Sequence, residues 1–140
     1  MTRGEIAGSW KIVSWEQRYD DGRLTFPMGE HLYGRIEYTN HHVFVMISCA
    51  DRPKFSTGGQ WNASNEEKAQ AYNSCLCYSG TYEVAGDTVI HHIDISLFPN
   101  WVGAQQRRHA AIVDGRLLLA ARLEEGSAEA RTARLVWERA

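Results

Sequence analysis

A chain of 140 residues with 15 basic and 17 acidic side chains, formal charge −2, has the length of one domain, residues 1–140, and enough chain to bury a core. The near-neutral balance gives no electrostatic case for nucleic acid, and no apolar run approaches the roughly 18–20 residues of a membrane span. Met1–Gly8 carries no hydrophobic leader, and Cys49, Cys75 and Cys77 form an odd set, so the expectation is reduced thiols in a cytoplasmic protein. Cys75-Leu76-Cys77 is too closely spaced for a usual redox pair, and the three cysteines read as small buried hydrophobes.

In chain order, Ser9–Tyr19 reads SWKIVSWEQRY, a strand with both faces partly covered. Asp20-Asp21-Gly22 is a turn, because Asp and Gly tolerate positive φ. Arg23–Leu32, with Pro27 and Gly29, reads as a loop. Tyr33–Thr39 alternates Ile36 and Tyr38 with Arg35 and Glu37, the pattern of a half-buried strand. Asn40-His41 turns the chain into Val43–Ala50, and the short link makes the two strands antiparallel neighbours. Asp51–Trp61, with Pro53 and Gly58-Gly59, is irregular; Asp51-Arg52 reads as an ion pair and Pro53 as a turn. Ser64–Leu76 is the one predicted helix. Ser64 and Glu67 form a capping box, Glu66 and Glu67 suit the positive helix N-terminus, and Ala69, Tyr72 and Leu76 share a face expected to cover a barrel end.

From Tyr78 onward the pattern is all strand. Tyr78, Gly80, Tyr82 and Val84 alternate with polar residues, Gly86-Asp87 turns, and Thr88–Leu97 follows. After a loop at Phe98–Gly103 come Gln105–Val113, the Asp114-Gly115 turn, Arg116–Glu124, a polar turn at Gly126–Ala130, and Ala133–Arg139. Eight antiparallel strands in hairpin order leave two edges unless the sheet closes. The predicted fold is therefore mainly β, a closed up-and-down eight-stranded barrel with one inserted helix at about 64–76, wide enough for one small ligand. A flattened sandwich is the structural alternative.

On the strand through His91, Val89, His91, Ile93 and Ile95 form the more apolar face, which should look inward. His91 is then the lone polar group there: either a proton-exchanging imidazole or a core histidine satisfied by a neighbouring strand. His92 should point outward. Tyr38, Tyr78 and Tyr82 lie on inward-looking faces, suited to a small-molecule pocket or to packing alone. Asn100 and Trp101, between Pro99 and Gly103, sit in a loop at the barrel mouth as a lid or a local anchor. On Gln105–Val113 periodicity barely separates Gln106, Arg108, Ala110 and Ile112 from the opposite face. An inward Arg108 would hold a carboxylate, enolate or phenolate; an outward one would be a surface cation. Adjacent strand residues face opposite ways, so neither His41-His42 nor His91-His92 chelates one ion; no Cys-x-x-Cys or His-x-His occurs. Neither a metal nor a cofactor is expected, with a histidine-ligated haem as the weaker alternative. No Gly-x-Ser-x-Gly, phosphate loop or dinucleotide fingerprint is present.

Gly8-Ser9-Trp10 opening the first strand and Trp137-Glu138-Arg139 ending the last resemble the lipocalins and related calycin barrels. There the closing arginine packs over the tryptophan, a cation–π contact, and Trp10 and Arg139 would be that pair. With Asp51-Arg52-Pro53, Tyr78-Ser79-Gly80-Thr81-Tyr82, His91-His92, Pro99-Asn100-Trp101-Val102-Gly103 and Leu135–Arg139, nearly the whole chain resembles the bacterial and fungal lipocalin-like domain family. The inserted helix departs from secreted lipocalins, whose main helix follows the barrel. The resemblance implies a barrel with a ligand cavity and favours the Gln106/Arg108 face as the inner one. The expected partner is a hydrophobic, oxygenated small molecule, with neither nucleic acid nor membrane, and with a homodimer left open. The expected activity is a cofactor-free isomerase, cyclase or lyase of secondary metabolism. His91 would be the acid/base, and Arg108 with Gln106 would hold the oxyanion. Tyr38, Tyr78, Tyr82, Asn100 and Trp101 would contact the ligand. A non-catalytic binding protein using the same pocket is the alternative.

Overall fold

A computed structural model describes residues Met1–Ala140. Its strands are β1 (Gly8–Tyr19), β2 (Leu24–Thr25), β3 (Leu32–Tyr38), β4 (His42–Cys49), β5 (Cys75–Ala85), β6 (Thr88–Ser96), β7 (Gln105–Val113), β8 (Arg116–Leu123) and β9 (Arg131–Arg139). From β3 to β9 each pairs antiparallel with the next. β1 pairs with β3 over Gly8–Lys11 and with β9 from Trp10 opposite Arg139 to Tyr19 opposite Arg131. Eight long strands thus close into a barrel, which satisfies the backbone groups a sheet edge would leave open. β2 is a two-residue ribbon on the far end of β1, inside the stretch expected to be plain loop. The Asp20–Gly22 turn brings it there, with the Tyr19 amide donating to the Arg23 carbonyl at 2.9 Å.

The core fills the barrel with Trp10, Ile12, Ile36, Val43, Val45, Ile47 and their neighbours. Each large apolar side chain fully withdrawn from water contributes about 1.5–3 kcal/mol. Two bulges set which residues reach that core. In β1, Ile12 pairs with Trp137 but Ser14 pairs with Val136, so Val13 is skipped. The inward set therefore runs Trp10, Ile12, Trp15, Gln17 instead of keeping strict alternation. In β6, Ile95 pairs with Ser79 and Ile93 with Gly80, so Asp94 is extra. Val89, His91 and Ile93 are buried as their alternation predicts, but Ile95, expected inward, is 69% exposed. The bulge reverses the parity beyond Ile93.

At the closed end, α1 (Arg3–Ile6) carries a Thr2/Glu5 capping box, a Thr-x-x-Glu signal that the sequence also contains. The Trp10 indole donates to the Ile6 carbonyl at 2.8 Å. The Arg139 guanidinium lies 3.8 Å from the Trp10 ring centroid and donates to the carbonyls of Ala7 and Glu5 at 2.6 and 2.8 Å. The expected closing pair is present, and it also holds α1 over the barrel.

α2 spans Asn65–Asn73, shorter than predicted, because Cys75 and Leu76 already belong to β5. Ser64 Oγ accepts from the Glu67 amide at 3.1 Å. The Glu67 carboxylate, expected to return to the N-cap, instead accepts from the amide and hydroxyl of Ser56 at 2.9 and 2.7 Å. The helix buries no residue, and Tyr72 is 43% exposed. The expected Ala69/Tyr72/Leu76 face therefore does not cover the barrel end: only Leu76 reaches inward, and it does so as a strand residue. Arg52 donates to Ala71 O and Ser74 Oγ at the end of α2, so it anchors the helix and makes no ion pair with Asp51. The three cysteines are free and half-buried. No helix is long and apolar enough to cross a membrane.

Candidate functional site

Inside the barrel lies a cavity of about 270 Å³, walled mainly by apolar side chains. Its polar members are Gln17 from β1, Tyr78 from β5, His91 from β6, and Gln106 and Arg108 from β7. The ambiguity on β7 resolves: Gln106 and Arg108 are half-buried and line the cavity, and Ala110 is buried, while Gln105, Arg107 and His109 face solvent. The register places Gln106 opposite His91 and Arg108 opposite Val89.

His91 is the one buried polar side chain, 1% exposed. Tyr38 Oη lies 2.8 Å from its Nε2, and Tyr78 Oη lies 2.6 Å from its Nδ1. Each phenol comes from a different strand, so the network joins β3, β5 and β6 across the interior. Burial, then the nearby Arg108 and His92 charges, pulls the His91 pKa down to about 3; the imidazole is neutral at pH 7. Burial also pushes the Tyr78 phenol up to about 12, partly offset by Arg108, and raises Tyr38 well above its ordinary value. The site rests with one fixed charge, the Arg108 guanidinium. That group donates to Gln106 Oε1 at 2.9 Å and to the Arg107 carbonyl at 3.1 Å, and no carboxylate pairs with it.

Trp101 belongs to a single 3-10 turn at Pro99–Trp101, formed where Pro99 sets φ at its start. Its ring stands edge-on to Tyr78 at 5.7 Å and to Phe98 at 5.4 Å, and it lines the cavity. Asn100 in the same turn is exposed and does not line it. Tyr38 contacts the cavity only through His91. Tyr82 is further removed: its hydroxyl donates to the Thr39 carbonyl at 2.6 Å, its ring packs edge-on to Tyr38 at 4.8 Å, and Arg3 covers its other side at 4.4 Å. His92 faces outward, as expected, toward Glu83 at 3.2 Å.

Among the wall residues that the sequence reading did not assign to the site, two carry unmet donors. Trp15 and Trp137 both line the cavity, and their indole N–H groups are buried without an acceptor. Such a donor costs about 1–3 kcal/mol relative to a satisfied one. The alternation of β9 already marks Trp137 as inward. Trp15 needs the β1 bulge, which no local pattern announces.

The family model for a lipocalin-like domain matches residues 7–140. A crystal structure of a lipocalin-like protein from Bacteroides uniformis is similar at 12% identity and TM-score 0.52, covering 98% of this chain and 100% of that one. An uncharacterized protein from Bacteroides eggerthii, also 12% identical, gives a TM-score of 0.47 over 94% of this chain and 98% of its own. No curated protein matches the chain.

Proposed function

The chain belongs to the lipocalin-like domain family, and on that premise we propose that its barrel takes one hydrophobic, oxygenated small molecule and rearranges it without a cofactor. The observation that carries this reading is Arg108: a half-buried guanidinium without a carboxylate partner, beside an apolar cavity that also holds His91. A buried or half-buried cation calls for an anion, and the apolar wall calls for a hydrocarbon or aromatic body. The two unmet indole donors add demand for ligand oxygen. The reaction class that fits is isomerisation, cyclisation or lyase-type proton transfer through an enolate. Arg108, oriented by Gln106, would stabilise the developing oxyanion, the hydrogen-bonded group centred on His91 would exchange the proton, and Trp101 would close the mouth. Moving a proton between carbon and oxygen changes no oxidation state and needs no co-reactant.

A second reading, a non-catalytic binding or sequestration protein, draws on a specific observation. His91 has a pKa of about 3 and both ring nitrogens engaged, which makes it a weak base. One experiment separates the two. Native mass spectrometry of protein isolated from its own host identifies the bound molecule, and that molecule is then incubated with wild type and with His91→Gln. A turnover loss of about 10²–10⁴-fold with little change in affinity supports the enzyme. Unchanged ligand recovered from the wild type supports the carrier. Protein that carries no small molecule, and binds none from the host's extract, overturns both.

A further inference from the structure

We infer that Tyr78 is the residue that hands a hydrogen bond to the ligand, because the Tyr38–His91–Tyr78 chain runs in one direction only. The inference rests on the cavity reading above and specifies its ligand: an oxygen acceptor, best an anionic phenolate, enolate or carboxylate oxygen, shared between Tyr78 and Arg108.

The argument is a count of protons. A neutral imidazole has one N–H donor and one lone-pair acceptor, and His91 has a tyrosine hydroxyl on each nitrogen, at 2.8 and 2.6 Å. One phenol must donate to the ring and the other must accept from it. The phenol that accepts keeps its own O–H for another partner. Suppose Nε2 carried the proton and gave it to Tyr38. Tyr38 would then be left with a free O–H, although it is 2% exposed, does not line the cavity, and has no second acceptor. Stranding a hydroxyl there carries the full penalty of a buried, unmet donor. In the opposite order the spare hydroxyl opens on the cavity, where a ligand oxygen can meet it. Tyr38 O–H donates to Nε2, Nδ1–H donates to Tyr78 Oη, and the spare O–H belongs to Tyr78, which lines the cavity beside Arg108. Burial keeps the imidazole uncharged, which the count requires. Each bond in such a chain polarises the next, so the Tyr78 proton becomes a better donor than an isolated phenol. His91 is then a positioning residue that fixes the Tyr78 hydroxyl, and no bond is made or broken in this step.

The test has two arms. Long-range ¹H–¹⁵N correlation spectra of the ligand-free protein read the His91 tautomer directly. The expected result is a protonated Nδ1 and an unprotonated Nε2; the reverse overturns the inference whatever the cavity binds. The second arm uses 4-nitrophenol, whose anion and acid absorb differently. Wild-type protein is expected to bind the phenolate and to shift the bound phenol toward its anion. Tyr78→Phe should weaken phenolate binding about ten- to a hundredfold, the size of one hydrogen bond to a charged acceptor, with much less effect on the neutral analogue nitrobenzene. Equal phenolate affinity in Tyr78→Phe and wild type overturns the assignment. Failure of the wild type to bind the phenolate, with the Nδ1–H tautomer present, overturns the cavity reading instead.

Discussion

At the scale of single residues, the interior polar group behaves as a neutral hydrogen-bonding unit, and this has a measurable pH signature. Unfolded His91 titrates near its ordinary value of 6.5, whereas in the fold burial and the Arg108 and His92 charges hold it down to about 3. Between these values the unfolded state binds the extra proton. The stability His91 supports is therefore fully present above pH 6.5 and is lost as the pH falls toward 3, by at most about 1.4 kcal/mol per pH unit. Asp20, Asp21 and Glu67, whose pKa values are lowered by Arg122, Arg23 and Ser56 respectively, lose their contributions in the acidic range of ordinary carboxylates. Urea unfolding of wild type and His91→Gln across this range should show the wild type falling more steeply from pH 6.5 to 5, where those carboxylates remain ionised. Parallel curves would mean that His91 is not held neutral. Arg108→Gln tests the cation in another way: it should weaken binding of an aromatic carboxylate such as 1-naphthoate by about tenfold or more, seen as loss of tryptophan quenching on titration.

At the scale of elements, the β5–β6 pairing controls which side chains enter the cavity. Gly80 sits where the bulge brings the β6 backbone close; a Cβ there would lie 1.8 Å from the His92 carbonyl oxygen. Backbone cannot move aside as a side-chain tip can, so Gly80→Ala should cost about 1–3 kcal/mol or more and should displace Tyr78 and His91 on either side. Thermal unfolding checks the first effect and the His91 ¹⁵N shifts the second. α2 gives the opposite expectation. It buries no residue, so Tyr72→Ala should change stability by no more than about 0.5 kcal/mol. A large loss in that variant would show that the helix is held by more than its cap and the Arg52 and Glu67–Ser56 contacts.

For the whole molecule, closure depends on the two chain ends meeting at Trp10 and Arg139. Gly8 has φ 114°, and a Cβ there would lie 2.8 Å from Arg139 Nη1, so the glycine clears the path for the guanidinium as it crosses to the α1 carbonyls. Arg139→Ala removes a cation–π contact and two charge-assisted hydrogen bonds. It should destabilise by about 2 kcal/mol, read as a lower urea midpoint with an unchanged slope. A changed slope would instead mean that the barrel opens in the native state. The cavity lies away from this end, so ligand binding at saturating stability should survive the substitution.

Much of this was legible along the chain because it depends on short-range periodicity. The strands, their hairpin order and the inward Val89/His91/Ile93 face follow from alternation and turn residues, and the Trp10–Arg139 pair follows from the family resemblance that the two terminal motifs carry. Tertiary structure decided the rest. The bulges at Val13 and Asp94 shift parity by one residue with no local mark, bringing Trp15 inward and turning Ile95 out. The inner face of β7 was ambiguous because glutamine and arginine flank both faces, and only closure against β6 and β8 placed Gln106 and Arg108 inside. The short α2 kept its N-cap signal but lost its burial, because packing a helix face needs a partner surface that the sequence of the helix does not contain. The Tyr38–His91–Tyr78 chain spans 53 residues of sequence, and a hydrogen bond between side chains on three strands exists only once the sheet has curved them toward one another.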